Sequence, residues 1–214
     1  MRGNGLQFEK ATRHFIRNHL RGRKPRRLHL TDLPLEHFIE NEQLSGYKPL
    51  GLWWGVGDSW MQWCMSEMKE WLCPYIYEIV LNEENVLRID TIKKFEKFEE
   101  KYATVPPWLK VDGHDAVMNL LYNNAKQQSE SKSRHNFSSH YIDYAKLSKE
   151  YGGIEIPNYF WEKRMSSMWY YGWDCASGCA WDVGAIKEIK LFASFDRDSG
   201  QFVKSGLQTR NLKV

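Results

Sequence analysis

The stretch KPLGLWWGVGDSWMQWC, from Lys48 to Cys64, combines closely spaced glycines with four tryptophans. Residues 48–56 have the composition of a strand, and Ser59 to Leu72 has the apolar spacing of a helix with Asp58 as its N-cap. Glycine lets the backbone approach a ligand closely, and an indole ring can stack on the ring of a ligand. We therefore expect this segment to line a ring-binding cleft, although the same tryptophans could form an aromatic core.

Several residues of this segment are candidate ligand-binding residues. Trp53 and Trp54 are neighbours in a strand and point to opposite faces, so only one of them can line the cleft. The full set of candidates here is Gly51, Trp53, Trp54, Ser59 and Trp60.

Two other segments place polar residues at the ends of strands. RLHLT at 27–31 reads as a strand in which His29 alternates with two leucines, so the imidazole points away from them, and Thr31 follows on the same face. A histidine in this position could equally be a satisfied core or surface residue. YYGWDCASGCAWD at 170–182 reads as a turn that leads into a strand. We expect His29, one tryptophan of the 53–54 pair and the 174–179 turn to share one cleft.

The rest of the chain predicts an alternation of helices and strands. Asn82 to Asn85 reads as the turn of a hairpin between two strands. Residues 125–139 are polar and poor in apolar side chains, which is typical of a mobile loop. The predicted helices are 8–20, 35–44, 92–102, 142–151 and 161–168, and the predicted strands are 75–81, 86–90, 154–156 and one or two strands within 180–195.

The N-terminal segment, residues 1–25, is expected to be a basic amphipathic helix ahead of a domain that spans 26–214. Its cationic face points to phosphates and hence to nucleic acid, although it could be a solvated face of a helix docked on the core, or a membrane-surface helix. The cationic residues of that face are Lys10, Arg13, Arg17 and Arg21.

Composition narrows the class of protein. The 214 residues, 42% of them hydrophobic, suit one domain with its own core. The sequence offers neither an apolar run of about 20 residues, the length that spans a bilayer, nor a signal peptide after Met1. Cys175 and Cys179 have no Cys or His pair at zinc-finger spacing. We expect a soluble, cytoplasmic protein with reduced cysteines, no membrane span and no metal.

The order of these segments resembles the ADP-ribosyltransferase family, in its poly-ADP-ribose polymerase and diphtheria-toxin branch. His29 on a first strand, GLWWG on a second, Ser59 at the start of a helix and Tyr151-Gly152-Gly153-Ile154 before a late strand carry the resemblance, which covers about residues 26–192. It implies an α+β fold of split antiparallel sheets with surrounding helices and, here, a basic N-terminal helix.

The resemblance also implies a site and a substrate. His29 would hold the ribose of NAD, and Trp53 or Trp54 would stack on its nicotinamide. The family has a catalytic Glu at the start of the strand that corresponds to CAWDVGAI, where this chain has Ser177; Glu155 and Asp174 are the available carboxylates. Ser177, Gly178 and Cys179 would complete the pocket.

The resemblance implies a glycosyltransferase that moves ADP-ribose from NAD to a macromolecule, with RNA or DNA slightly favoured over protein as acceptor. Compact members of this family include toxins, so an antitoxin is a conceivable partner. The missing Glu supports an alternative, a non-catalytic module that binds a nucleotide or a nucleic acid. A nuclease that uses His29, Asp174 and Glu155 is a third alternative.

Overall fold

The computed structural model describes residues 5–105 and 141–205, which form a mixed α+β fold with a large, mostly antiparallel sheet and several helices. The strands are β1 (Arg27–Thr31), β2 (Ser45–Gly46), β3 (Leu52–Val56), β4 (Tyr75–Leu81), β5 (Val86–Arg88), β6 (Ala103–Thr104), β7 (Tyr141–Asp143), β8 (Gly153–Ile156), β9 (Ser177–Ala180), β10 (Ile186–Asp196) and β11 (Gln201–Lys204). The large sheet has the strand order β11-β10-β4-β1-β3-β9-β8-β5, and a small second sheet has the order β2-β7-β6.

The helices lie outside the sheet. The first and the third are the longest, and the last three are single turns. The helices are α1 (Gly5–His19), α2 (Ser59–Ser66), α3 (Ile92–Tyr102), α4 (Tyr144–Leu147), α5 (Trp161–Arg164) and α6 (Met168–Tyr171), with single 3-10 turns at Lys69–Trp71, Glu83–Asn85 and Val183–Ala185. No helix in residues 5–105 or 141–205 is long and apolar enough to cross a membrane.

The large sheet opens in its middle. Strands β1 and β3 pair at only two positions, Arg27 with Val56 and Leu28 with Gly55. Beyond Leu28 the first strand continues along β4, while the rest of β3 pairs with β9. The two halves of the sheet therefore diverge from one short shared ladder, and the space between them lies beside His29.

Apolar side chains fill both sides of this sheet. One cluster joins Leu28 and Ile76 of the sheet to Phe15 of α1 and Met61 of α2. A second cluster, which includes Trp54, brings β4 and β10 together with β5 and β9, so the two halves of the sheet share a core. A third packs α3, α4 and α6 against β8.

The N-terminal helix is part of the same core. Phe15 and Ile16 are buried, and Phe8 packs on Phe195 with ring centroids 4.7 Å apart. The predicted helical periodicity is confirmed, because the apolar stripe faces the sheet and the cationic stripe is exposed. Gly22, just past the helix, has φ 68°, the left-handed conformation that commonly ends a helix.

Several local predictions are wrong. Strands β4 and β5 form no hairpin: β5 pairs in parallel with β8 at one edge, while β4 lies between β1 and β10. The 3-10 turn at Glu83–Asn85 redirects the chain between them. Residues 35–44 are irregular rather than helical, because Leu35 and Phe38 pack singly on the core while most of their neighbours remain exposed.

Other predictions are right only in part. The helix predicted at 59–72 ends at Ser66, and the Asp58 side chain makes no capping hydrogen bond. The helix predicted at 142–151 is strand β7 followed by the single turn α4, and the helix predicted at 161–168 is two separate turns. Helix α3 and strand β4 have the predicted bounds. The predicted loop at 125–139 lies outside the described residues.

Candidate functional site

A cleft of about 260 Å³ opens where β1 and β3 diverge. Its walls come from both halves of the sheet, from α2 and from the turn before β9. The lining residues are Leu28, His29, Leu30, Lys48, Trp53, Trp54, Gly55, Trp60, Gly172, Trp173, Asp174, Cys175 and Ser177. Of the sequence-predicted site residues, the structure thus brings together His29, Trp53, Trp54, Trp60, Asp174 and Ser177.

His29 bridges the opening in the sheet. Its Nδ1 lies 2.7 Å from the Trp53 carbonyl oxygen. A carbonyl only accepts, so Nδ1 is the donor, and a neutral ring keeps its lone pair on Nε2. Burial lowers the pKa of His29, because a desolvated site disfavours the imidazolium. A neutral His29 with an acceptor at Nε2 suits a hydroxyl group as its ligand.

The aromatic wall of the cleft comes from Trp53 rather than Trp54. Trp53 is partly exposed, meets the buried Trp173 edge to face at 4.9 Å, and has the Lys48 ammonium 5.5 Å from its ring centroid. Trp54 is 2% exposed and belongs to the core between the two halves of the sheet. Strand alternation separates the two indoles, and the partly exposed ring is the one available to a ligand.

Asp174 supplies the carboxylate of the cleft. Its oxygens lie 3.6 Å from the Lys48 ammonium and 3.9 Å from the Arg164 guanidinium. Both distances exceed those of good charge-assisted hydrogen bonds, which measure about 2.7–2.9 Å. Two cations therefore lie near one carboxylate without forming a close ion pair with it. This local excess of positive charge suits an anionic ligand.

The turn that carries Asp174 is held from both sides. Ser177 Oγ donates to the Cys175 carbonyl at 2.9 Å, and Ser59 Oγ donates to the Ala176 carbonyl at 2.7 Å. Burial raises the pKa of Cys175 to about 11, so its thiol stays protonated near neutral pH. These groups position the turn, and Cys175 is a poor nucleophile.

Glu155, the other candidate carboxylate, lies elsewhere. It is 1% exposed and accepts from Arg27 Nε at 2.6 Å and from Arg88 Nη1 at 2.6 Å. The Trp54 indole N–H lies 3.4 Å from the same carboxylate. Glu155 is absent from the cleft lining, and its partners tie strand β8 to β1 and β5.

The remaining predicted residues serve the packing around the cleft. Gly51 has φ 147° and lies against the Ala180 backbone, so it allows close approach of two strands. Gly178 lies beneath the Trp54 ring. Cys179 is fully buried, and burial raises its pKa well above the usual range. Thr31 Oγ accepts weakly from the Leu33 amide at 3.4 Å.

The predicted phosphate-binding residues of α1 are exposed. Arg13 donates to Glu9 at 2.7 Å, and Arg17 Nη2 lies 3.4 Å from His14 Nδ1. Glu9 also meets Lys69, which links α1 to the 3-10 turn after α2. The helix thus offers a cationic surface fixed on the core; the exposed cations are Lys10, Arg13, Arg17 and Arg21.

Sequence reasoning missed Lys48, Arg164 and Trp173. Lys48 and Trp173 stand inside two of the segments that it singled out, but nothing local indicates that both line the same cleft. Arg164 comes from a separate helix, α5, and meets Asp174 only through the tertiary fold.

No protein-family model, curated protein or solved structure matched this chain in the three comparisons made. Within residues 5–105 and 141–205, no group of three or more His, Cys, Asp or Glu side chains could hold a metal ion. The chemistry of the cleft must therefore be inferred from its own residues.

Proposed function

We propose that this chain is a divergent ADP-ribosyltransferase that binds NAD as a substrate in the cleft and transfers ADP-ribose to a macromolecule. The observation that carries the proposal is the bridge from His29 to the Trp53 carbonyl, at the point where β1 and β3 part. It supports the proposal because His29 and Trp53, to which the family resemblance assigns the ribose and the nicotinamide, are neighbours at this point.

The size of the cleft suits one end of NAD. About 260 Å³ is below the roughly 300–1,000 Å³ of pockets that enclose a drug-sized ligand. Nicotinamide and its ribose would enter beside Trp53, with a ribose hydroxyl donating to His29 Nε2. The diphosphate would remain at the rim, where Lys48 and Arg164 converge.

Asp174 is the residue that we assign to the chemistry. When the bond between nicotinamide and ribose breaks, the electron pair leaves with nicotinamide, and positive charge develops on the ribose. A carboxylate beside that charge stabilises it. The acceptor group then bonds to the anomeric carbon, and its proton passes to Asp174. Glu155 is less suited, since two arginines already neutralise it away from the cleft.

The acceptor is assigned to nucleic acid rather than protein because α1 carries an exposed cationic face. The cysteines of the described residues are free thiols, which suits the reducing cytoplasm. A cytoplasmic transferase of this kind fits the toxins of the family, and an antitoxin that covers the cleft would be its natural partner.

The test is release of nicotinamide from NAD labelled in the adenylate, with RNA, DNA and protein offered separately as acceptors. Asp174→Asn should slow release by about 100-fold or more, the usual contribution of a positioned acid or base. Asp198→Asn, which changes an exposed carboxylate in the turn after β10, is the matched control and should be neutral. Wild-type rates for Asp174→Asn would overturn the assignment.

One observation favours a second candidate, a binding module without catalysis. Strand β9 begins with Ser177, whose hydroxyl is engaged with Cys175 where the family has its Glu. Such a module would bind NAD or a nucleotide with affinity that depends on Trp53, while the wild-type protein would release no nicotinamide with any acceptor. Calorimetric NAD binding beside the release assay separates the two candidates.

A further inference from the structure

Three tryptophans form a cluster beside the cleft. Trp60 and Trp63 stand one turn apart on α2 and stack, with ring centroids 5.0 Å apart and an interplanar angle of 14°. Trp71, from the 3-10 turn Lys69–Trp71, lies 5.9 Å from the first ring and 5.7 Å from the second. The tryptophan cluster is therefore a continuous aromatic surface built from two elements.

This cluster lies at the margin of the core rather than inside it. Helix α2 already buries Met61, Cys64 and Met65 against the sheet. Trp60 and Trp63 are only partly buried beside them, and Trp71 is 46% exposed. An indole gains most when it is buried, so three adjacent rings left partly in water are more typical of a binding surface than of core packing.

The cluster connects two features that the sequence analysis treated separately. At one end Trp60 lines the cleft. At the other end Lys69, two residues before Trp71, meets Glu9 at 3.0 Å, and Glu9 meets Arg13 at 2.7 Å. Lys69 and Arg13 remain largely exposed, at 58% and 61% of their side chains. A track of aromatic rings and then cations therefore runs from the cleft to the basic face of α1.

We propose that this track binds a single-stranded polynucleotide, with unpaired bases on the tryptophan cluster and phosphates along Lys69 and Arg13. Proteins bind single-stranded nucleic acid by stacking its bases on aromatic side chains and by contacting its phosphates with cations. A duplex keeps its bases stacked on one another, so they are not available to the rings. The role of the bound polynucleotide as the acceptor of ADP-ribose rests on the proposed function. The track narrows that acceptor to single-stranded nucleic acid. The track itself is a binding site whether or not transfer occurs.

The test is fluorescence anisotropy of labelled 20-nucleotide single strands, RNA and DNA in separate arms, without NAD. Trp71→Ala should weaken binding by about 5- to 150-fold, since one base stacked on an aromatic side chain contributes roughly 1–3 kcal/mol. Trp71→Phe keeps a ring and should retain most of the affinity. Ile39→Ala removes an apolar side chain that is 65% exposed in a segment packed on another cluster, and it should change nothing.

Lys69→Gln tests the phosphate half of the track. It should lower the slope of log affinity against log salt by about 0.7, the value for one lost phosphate contact on a single strand. A duplex of the same length should bind at least tenfold more weakly than the single strands. Preference for RNA or for DNA identifies the source of the acceptor, and either preference supports the track.

Three results would overturn the inference: equal affinities of Trp71→Ala and Ile39→Ala, equal binding of duplex and single strand, or no binding of any strand. The last result is expected if the acceptor is a protein rather than a nucleic acid. If the wild-type protein released no nicotinamide but bound single strands in a Trp71-dependent way, the proposed function would be refuted. The track would then remain a binding site for single strands.

Discussion

Replacement of Glu155 by Gln should destabilise the protein without acting through the cleft. The carboxylate is 1% exposed and neutralises two guanidiniums, Arg27 at 2.6 Å and Arg88 at 2.6 Å. Glutamine keeps the shape of the side chain but removes its charge. The variant therefore leaves two cations, one of them mostly buried, without their shared counter-ion.

The magnitude follows from the burial of the partners. Removing one partner of a buried ion pair lowers the free energy of unfolding by about 3–5 kcal/mol. Arg27 and Arg88 are 20% and 45% exposed, and Arg27 keeps a second partner in Glu83 at 2.9 Å. Water and that partner offset part of the cost, so we expect a loss of about 2–3 kcal/mol in the free energy of unfolding.

Urea denaturation of Glu155→Gln and of Glu100→Gln, which changes an exposed carboxylate on α3, measures this loss. With a slope near 1–3 kcal/mol per molar, the midpoint should fall by about 0.7–3 M in the first variant and stay constant in the second. A loss below about 1 kcal/mol would refute the structural role. If stability held while nicotinamide release vanished, Glu155 rather than Asp174 would be the catalytic carboxylate.

Three further predictions concern the packing around the cleft. Gly178→Ala should cost about 1–3 kcal/mol in urea denaturation, because the added methyl group would overlap the Trp54 ring and the Ile154 carbonyl. Phe15→Ala, at a side chain of α1 that is 1% exposed, should lower the free energy of unfolding by about 3–5 kcal/mol. Burial lowers the pKa of His29, so the unfolded state takes up more protons and stability should fall as the pH drops below about 6.5. His29→Gln should flatten that slope in pH-dependent urea titrations, and His19→Gln separates the similar contribution of a second imidazole whose pKa burial also lowers.

Part of the candidate site follows from sequence. Strand alternation predicts that only one of Trp53 and Trp54 can face a ligand, and Trp53 is the one that is partly exposed. His29 and Asp174, far apart in the chain, line the same cleft, as their positions at strand ends suggested. The choice between Asp174 and Glu155 did not follow, since it depends on where Arg27 and Arg88 lie.

The sequence by itself determined the elements whose signal is local. The apolar spacing of α1 and α3 and the β-rich run of β4 predict those elements well, because helical and strand periodicity are written in neighbouring residues. Only the tertiary structure decided how strands pair, because hydrogen bonds between distant segments depend on the whole core. It placed β5 beside β8 rather than in a hairpin with β4, and it brought Lys48 and Arg164 to Asp174.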